Sequence, residues 1–491
     1  LPRRTTLALV IDCWSDKNDP RRQSPPRRKT VAAAPDGHAR PIRIVRCYRA
    51  SHDLRRTASP GARMKHKRFW IGAAGIAIAG VAVAIGIMVR PSIAPIDPPA
   101  PASFDPQLVR AGARVVALGD CVVCHTAKDG KPFAGGLPLA TPFGTIYATN
   151  ITPDPETGIG RWSRDAFARA LRTGIGRNGQ PLYPAFPYIH FTKMSDDDIA
   201  AAYAYLMTRT PVRATTPAND LVFPLNFRPL VAFWNVLFLR EGAYQPDPAQ
   251  SAQWNRGRML VDGLGHCASC HSPLNAIGGE QRGRAFDGGI VDGWEAPPLN
   301  TLGQAARPWT QAQLVTYLRT GRASEHGAAA GPMLPVTRDL ATVPAEDVEA
   351  IAAYILSIQK PANGHAATAA APAERAATTP AAQRGAVLFQ ASCAQCHGPA
   401  APMQSIGERP TLAFSTAVNA DTPRNAIQMM FNGIGWHGDD TLNYMPSFID
   451  QYDDAQIADL AAYVRATYTD RPAWSGADAM AAKLRKEDTA R

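Results

Sequence analysis

The longest apolar stretch of the chain is Phe69–Val89, 21 residues without a charge, set directly behind the basic run Met64-Lys65-His66-Lys67-Arg68. A helix of that length reaches across roughly 30 Å of hydrocarbon. A basic flank followed by such a run is how an export signal or signal anchor begins. The run ends at Arg90-Pro91 with no A-x-A cleavage site, so residues 64–90 are expected to be a retained transmembrane helix. Positive charge ahead of the span puts the N-terminus in the cytoplasm and everything past residue 95 in the periplasm, anchored in the inner membrane.

Beyond the span the pattern is helical and repeats. Three helices are expected where Ile199 leads to Tyr205-Leu206, Val348 to Tyr354-Ile355, and Ile457 to Tyr463-Val464, at the same spacing each time. Their starts are marked by Ser195 with Asp198, Pro344 with Glu346, and Asp453 with Gln456. The first and last resemble a capping box, and Pro344 suits a first helical turn. About 90 residues ahead of the first two of these helices, and somewhat less ahead of the third, stands a shorter helical pattern opened by Arg110-Ala111-Gly112, Arg256-Gly257 and Arg384-Gly385. Between them, Trp162-Ser163, Phe167, Leu171 and Arg172-Thr173-Gly174 match Trp309-Thr310, Leu314, Leu318 and Arg319-Thr320-Gly321, a helix with a glycine stop. The third repeat keeps only Phe431-Asn432-Gly433.

These patterns divide the chain into an upstream extension (1–63), the apolar span (64–90), repeats at 104–212, 250–360 and 383–470, an interdomain segment (213–249) and a tail (471–491). Residues 91–103 and 361–382, rich in Pro, Ala and Thr, read as tethers. Leu230–Leu239, with Phe233, Trp234 and Phe238, is too short to span a bilayer and reads as interdomain core, the competing reading being a surface docked on a partner or lipid.

The net charge of +11 suggests nucleic acid until it is located. Residues 1–68 hold 18 Lys+Arg against 5 Asp+Glu, whereas the remainder holds 34 against 36. No basic stripe is left on the folded part, which excludes a phosphate-tracking surface. Residues 1–63 begin with Leu1, are rich in Arg and Pro and lack periodicity, so they read as disordered or as a stretch upstream of the natural product.

Each repeat carries the string C-x-x-C-H: Cys121–Cys124-His125, Cys267–Cys270-His271 and Cys393–Cys396-His397. Composition alone predicts about 0.003 such strings in a chain of this size, so three are no accident. They use six of the eight cysteines; Cys13 and Cys47 lie in the upstream extension. The motif predicts covalent haem c, two thioethers to the porphyrin vinyls holding the adjacent His under the iron. A thioredoxin-like redox pair would need a βαβ setting, and structural zinc two more ligands beside each pair. Three covalently bound haems are therefore expected, with no catalytic residue of the chain's own.

The sixth ligand decides whether such an iron transfers electrons or does chemistry. Met445-Pro446, eight residues before the last helix, and Met333 in Gly331-Pro332-Met333-Leu334-Pro335 are the candidates in repeats three and two. Repeat one has Ala185-Phe186-Pro187 where repeat three has Tyr444-Met445-Pro446, and Phe cannot ligate iron. Met194 is assigned there, with His190 and Met207 as competitors. The acidic groups Asp196–Asp198, Asp439-Asp440 and Asp453-Asp454 read as caps or solvated faces, and His437 beside Trp436 as packing or surface.

Asn150-Ile151-Thr152-Pro153-Asp154 running to Gly160-Arg161-Trp162, then Leu182-Tyr183-Pro184-Ala185-Phe186-Pro187-Tyr188, Lys193-Met194-Ser195, and Trp254-Asn255-Arg256-Gly257 leading to Gly263-Leu264-Gly265-His266-Cys267, resemble the tri-haem cytochrome c subunits of bacterial membrane-bound dehydrogenases over residues 100–470. The resemblance implies an all-α chain of three tandem class I cytochrome c domains behind one transmembrane helix. It further implies a separate catalytic subunit of quinoprotein (PQQ), flavin or molybdenum type, with electrons relayed to ubiquinone or the oxidase branch. A retained span leans toward the molybdenum variety. Two other readings stay open: a peroxidase-like haem enzyme with an open iron in repeat one, and an electron-donating component of a terminal oxidase.

Overall fold

The computed structural model describes residues 60–361, 375–398, 401, 409–435 and 444–489. What was expected of residues 1–59 (Cys13 and Cys47 included), of most of the second tether, and of Trp436, His437, Asp439 and Asp440 lies outside the described residues. By internal contacts the chain divides into two units, with the boundary after Gly72. Helix α1 (Pro60–Met88) is, over Phe69–Met88, long and apolar enough to cross a membrane, and its apolar side chains are exposed.

Repeat one comprises α2 (Pro106–Leu118), the one-turn α3 (Cys121–Cys124), α4 (Arg164–Thr173), the short α5 (Tyr188–Phe191) and the closing α6 (Asp196–Met207). A three-stranded antiparallel sheet of β1 (Pro138–Thr141), β2 (Gly144–Tyr147) and β3 (Asp220–Leu221) flanks it. The interdomain segment forms α7 (Val231–Phe238). Repeat two runs through α8 (Ala252–Met259), which continues as a π-turn over Leu260–Leu264, then α9 (Ala268–His271), the hairpin β4 (Gly289–Val291) and β5 (Trp294–Ala296), and α10 (Gln311–Thr320). It ends with the hairpin β6 (Arg322–Ala323) and β7 (Gly327–Ala328), α11 (Met333–Ala341) and α12 (Ala345–Ser357). Repeat three has α13 (Pro380–Ser392), α14 (Ala394–His397), α15 (Thr416–Asn419), α16 (Arg424–Asn432) and α17 (Asp454–Tyr468), followed by α18 (Ala477–Thr489). The packing is helical, and the short sheets are additions that an all-helical expectation does not include.

The helix that opens each repeat crosses the helix that closes it: α2 on α6, α8 on α12, α13 on α17. The crossings share one geometry. A methyl carbon at Gly112, Gly257 or Gly385 would lie 2.0 Å from the carbonyl oxygen of Ala201, Ala350 or Asp459, and 2.7–2.8 Å from Cβ of Tyr205, Tyr354 or Tyr463. The recurring Gly and the recurring Tyr are thus two sides of one contact, and only a residue without Cβ permits it. Caps form as the sequence suggests at Ser195 and Asp453, the latter a full capping box with Gln456. Pro344 stands at the N-cap itself, one residue earlier than a first-turn proline.

Repeats one and two share one continuous apolar core, whereas repeat three has its own around Phe389, Ile427, Phe431 and Leu460. Helix α7 ties the first two together: Trp234 Nε1–H donates to the Ile277 carbonyl (3.0 Å) and Asn235 Oδ1 accepts from the Tyr188 hydroxyl (2.5 Å). Only Val231 and Ala232 are buried on this helix, while Phe233, Val236 and Leu237 are exposed, so Leu230–Leu239 is half core and half surface. The first tether also differs from a free spacer. Ile93 N–H donates to the Arg177 carbonyl (2.8 Å) and Ile96 N–H to that of Arg161 (3.1 Å), pinning residues 91–96 along repeat one.

Candidate haem-attachment sites

In every repeat the C-x-x-C-H string lies on or beside a single helical turn that follows directly from the opening helix. One turn places the two Sγ atoms on the same side and directs the next residue, His, beneath them. The six cysteines are unpaired and half-buried. Desolvation pushes the thiols of Cys121, Cys124 and Cys267 up to about 12 and those of Cys270 and Cys393 up to about 11. A redox-active pair needs a depressed thiol, which these raised thiols are not. Among the described residues no group of three or more His, Cys, Asp or Glu side chains converges as a metal cluster.

The histidines are prepared as ligands. His125 Nδ1–H donates to the Thr149 carbonyl (2.6 Å) and His271 Nδ1–H to the Pro297 carbonyl (2.7 Å). Such a bond selects the tautomer with a free lone pair on Nε2 and fixes the plane of the ring. Desolvation lowers the pKa of both rings, and His397 is pushed down to about 4 by desolvation and then by Arg409. Each is thus neutral, the form that binds a metal. The donor set fits haem c.

Of the expected sixth ligands, Met333 opens α11 and Met445 pairs with Ile434 in an isolated bridge; both are half-buried. Met194 is 2% exposed, enclosed in the shared core immediately before the N-cap of α6. His190 is spent elsewhere: its Nδ1–H donates to the Asp262 carbonyl (2.9 Å) and its Nε2–H to Glu280 (2.6 Å). Burial works against the charge, but the Glu280 carboxylate outweighs it and raises the His190 pKa. Met207 is buried at the far end of α6.

The first two motifs face each other across the shared core. Gly119, two residues before Cys121, lies against Leu264, and His266 Nε2–H donates to the Gly119 carbonyl (3.2 Å) one residue before Cys267. Two carboxyls missed by sequence reasoning sit here. Burial first, then the neighbouring Asp339, pushes Asp120 up to about 8, and Asp339 is raised as well. Asp347, fully buried on α12, accepts from Arg114 of repeat one (2.5 Å) and Arg256 of repeat two (2.9 Å). Repeat three docks by polar contacts instead. Asn425 exchanges hydrogen bonds with the Glu295 backbone (2.9 and 2.8 Å), and Arg424 donates to the Gly293 carbonyl (2.8 Å).

The Cytochrome c family model matches residues 109–210 and 255–359, and the model described as cytochrome c oxidase, cbb3-type, subunit III matches residues 380–464. The chain is 48% identical to a nicotinate dehydrogenase component of Pseudomonas putida over 86% of its own length, but spans only 36% of that protein. It is 33% identical to the fructose dehydrogenase cytochrome subunit of Gluconobacter japonicus, covering 78% of this chain and 84% of that one. With the gluconate 2-dehydrogenase cytochrome c subunit of Pantoea cypripedii the identity is 36%, over 78% and 90%.

Proposed function

The chain belongs to the cytochrome c family, among the cytochrome subunits of dehydrogenases, and from that premise we propose that it carries three covalent haems as a membrane-anchored electron relay. In this reading it takes electrons from a catalytic dehydrogenase subunit on the periplasmic side and passes them to ubiquinone or the respiratory chain. The observation that carries it is the pair of motif histidines whose Nδ1–H is tied to a backbone carbonyl, each beside two unreactive cysteines in a repeated fold.

Bound haem supplies a one-electron Fe(II)/Fe(III) couple. The protein's part is to hold that couple still. Cys121 and Cys124, Cys267 and Cys270, and Cys393 and Cys396 would hold the three haems, and His125, His271 and His397 would supply neutral nitrogens to them. Met333 and Met445 would close the second and third sites with a thioether, which raises the potential and excludes substrate chemistry. The contact of Gly119 with Leu264 supports close passage between the first two groups, and the docking of α16 on β5 supports passage to the third. Helix α1 is the anchor in this reading, supported by its length and apolar surface.

The test is haem stoichiometry on the full chain matured in a c-haem-competent host, with Cys→Ser variants of each motif. Three haems per chain, falling by one per motif lost, are expected; two or fewer in the unaltered chain would refute the reading. Reduction of all three by a catalytic dehydrogenase subunit, and reoxidation by a ubiquinone analogue, tests the relay itself.

A further inference from the structure

We infer that the iron held by the first motif has no protein ligand in its sixth position, and that Phe186 occupies the place which Met333 and Met445 fill in the other repeats. The inference rests on the haem reading above. Each ligand-bearing loop leaves a helix through a capping glycine with positive φ, Gly174, Gly321 or Gly433. The residue 12 positions on is Phe186, Met333 or Met445. In the first two repeats the backbone between is the same. Leu182 N–H donates to the Gly174 carbonyl (2.7 Å) as Ala329 N–H does to that of Gly321 (2.7 Å). Phe186 N–H then donates to the Tyr183 carbonyl (3.0 Å) as Met333 N–H does to that of Ala330 (3.2 Å).

Met194, to which sequence proximity assigns the ligand role, holds a different place. It precedes the N-cap of the closing helix, as Val343 and Tyr452 do in the other repeats. All three are buried, and so are the residues five positions on, Ile199, Val348 and Ile457. That spacing is the hydrophobic staple, a residue before the N-cap packed on the first turn. The equivalent Val343 cannot ligate iron, and repeat two has its methionine elsewhere. Backbone contacts keep the same register: Arg172 donates to the Thr192 carbonyl (3.0 Å) and Arg319 to those of Ala341 (3.4 Å) and Val343 (3.1 Å). Met194 is therefore a core residue.

The polar rings nearby are also committed. His190 donates from both nitrogens and has no free lone pair. Tyr188 is fully buried and gives its hydroxyl to Asn235. Phe186 packs against Phe191 (centroids 5.5 Å) and Tyr188 (6.0 Å), so the surface it would present to a haem on the first motif is aromatic and apolar. Such a surface admits a small neutral π-acceptor and disfavours an anion, which would have to be desolvated.

Carbon monoxide is the probe, added to the reduced full-length protein once haem content has been measured. Fewer than three haems would count against the haem reading and leave the ligand question to that reading's failure. With three present, one carbon monoxide per three haems is expected, with a Met-to-iron charge-transfer band worth two irons. Phe186→Met abolishes the binding and raises the band by half; Met194→Leu changes neither. Three haems with no carbon monoxide bound, or a Met194→Leu variant that loses part of the band and gains binding, overturns the inference. Should Phe186→Met fail to mature, the unaltered chain and Met194→Leu decide alone.

Discussion

Gly385→Ala is the sharpest test of how each repeat is built. The added methyl would lie 2.0 Å from the Asp459 carbonyl oxygen, 2.6 Å from its carbon and 2.8 Å from Tyr463 Cβ. An ordinary carbon–oxygen contact needs roughly 3.3 Å, so α13 and α17 must separate by about 1 Å along their main contact. The obstacle is backbone on a helix, which cannot swing aside as a side chain could. Overpacking of this kind costs about 1–3 kcal/mol, and the upper end applies where the whole helix must shift. Alanine returns about 1 kcal/mol through helix propensity, leaving a net loss of about 2 kcal/mol. For a domain of this size that is a fall in midpoint of roughly 8–16 °C. The assay is thermal melting of the haem-loaded chain, followed at the Met-to-iron band. Gly303→Ala is the control, since nothing lies within 4 Å of its added methyl. An unchanged or higher midpoint for Gly385→Ala would refute the close-crossing argument.

Three further outcomes follow from the sites. Met445→Leu should remove half of the Met-to-iron band and lower the potential of one haem while three haems remain attached; a band at full strength would show that Met445 is not a ligand. Asp120, with its carboxyl raised from 3.8 to about 8 first by burial and then by Asp339, keeps a proton that the unfolded chain releases. Its contribution is therefore complete below about pH 4 and lost as pH rises through about 8. Asp339→Asn should flatten that decline in melting temperature between pH 4 and 8, and an identical slope would count against the pairing. Asp347→Ala strands both Arg114 and Arg256, an expected loss of about 2 kcal/mol, discounted for their partly exposed guanidinium groups. Arg114→Met leaves the Arg256 pair in place and should cost under about 1 kcal/mol, both variants being measured by urea titration of the haem-loaded chain.

What the sequence revealed was whatever repeats locally. Cap residues such as Ser195 and Asp453, the glycine stops at Gly174 and Gly321, and the haem strings are short-range signals with one physical meaning each. The Gly385–Tyr463 contact was visible only as two separate recurrences, because the partners lie 78 residues apart and no local rule couples them. The core shared by repeats one and two was hidden for a related reason: an apolar residue such as Leu264 is patterned for burial, but the pattern does not name the partner surface. The Pro/Ala-rich 91–103 segment looks like a free tether because composition reports extension, and says nothing of backbone pairing such as Ile93 with Arg177. Met194 is the nearest thioether in the sequence. In the inference drawn above, the register of the staple, which needs all three closing helices side by side, gives it another task.

The two junctions between repeats are built from different chemistry, and that difference bears on how the proposed relay works. Between repeats one and two lie Leu264 and Phe191, both in the shared core, with Phe191 edge-on to His266 (5.4 Å), and the doubly paired Asp347. Opening that junction would expose apolar surface and an unpaired buried carboxylate together, so in the proposed relay the first two haems would be held at one fixed spacing. The junction to repeat three is mainly polar: Asn425, Arg424 and Gln428 reach backbone atoms of Gly293 and Glu295, Thr411 and Thr416 N–H donate to the Ser324 and His326 carbonyls, and Arg307 lies over the Phe414 ring. Water can replace those hydrogen bonds at little net cost. A polar junction of this kind resembles a transient interface more than a core. In the proposed relay the third haem would then be the one whose distance can vary, held in a repeat with its own core. In that reading electron exchange between the first two haems would be set by packing, and exchange with the third by the polar contacts that seat repeat three.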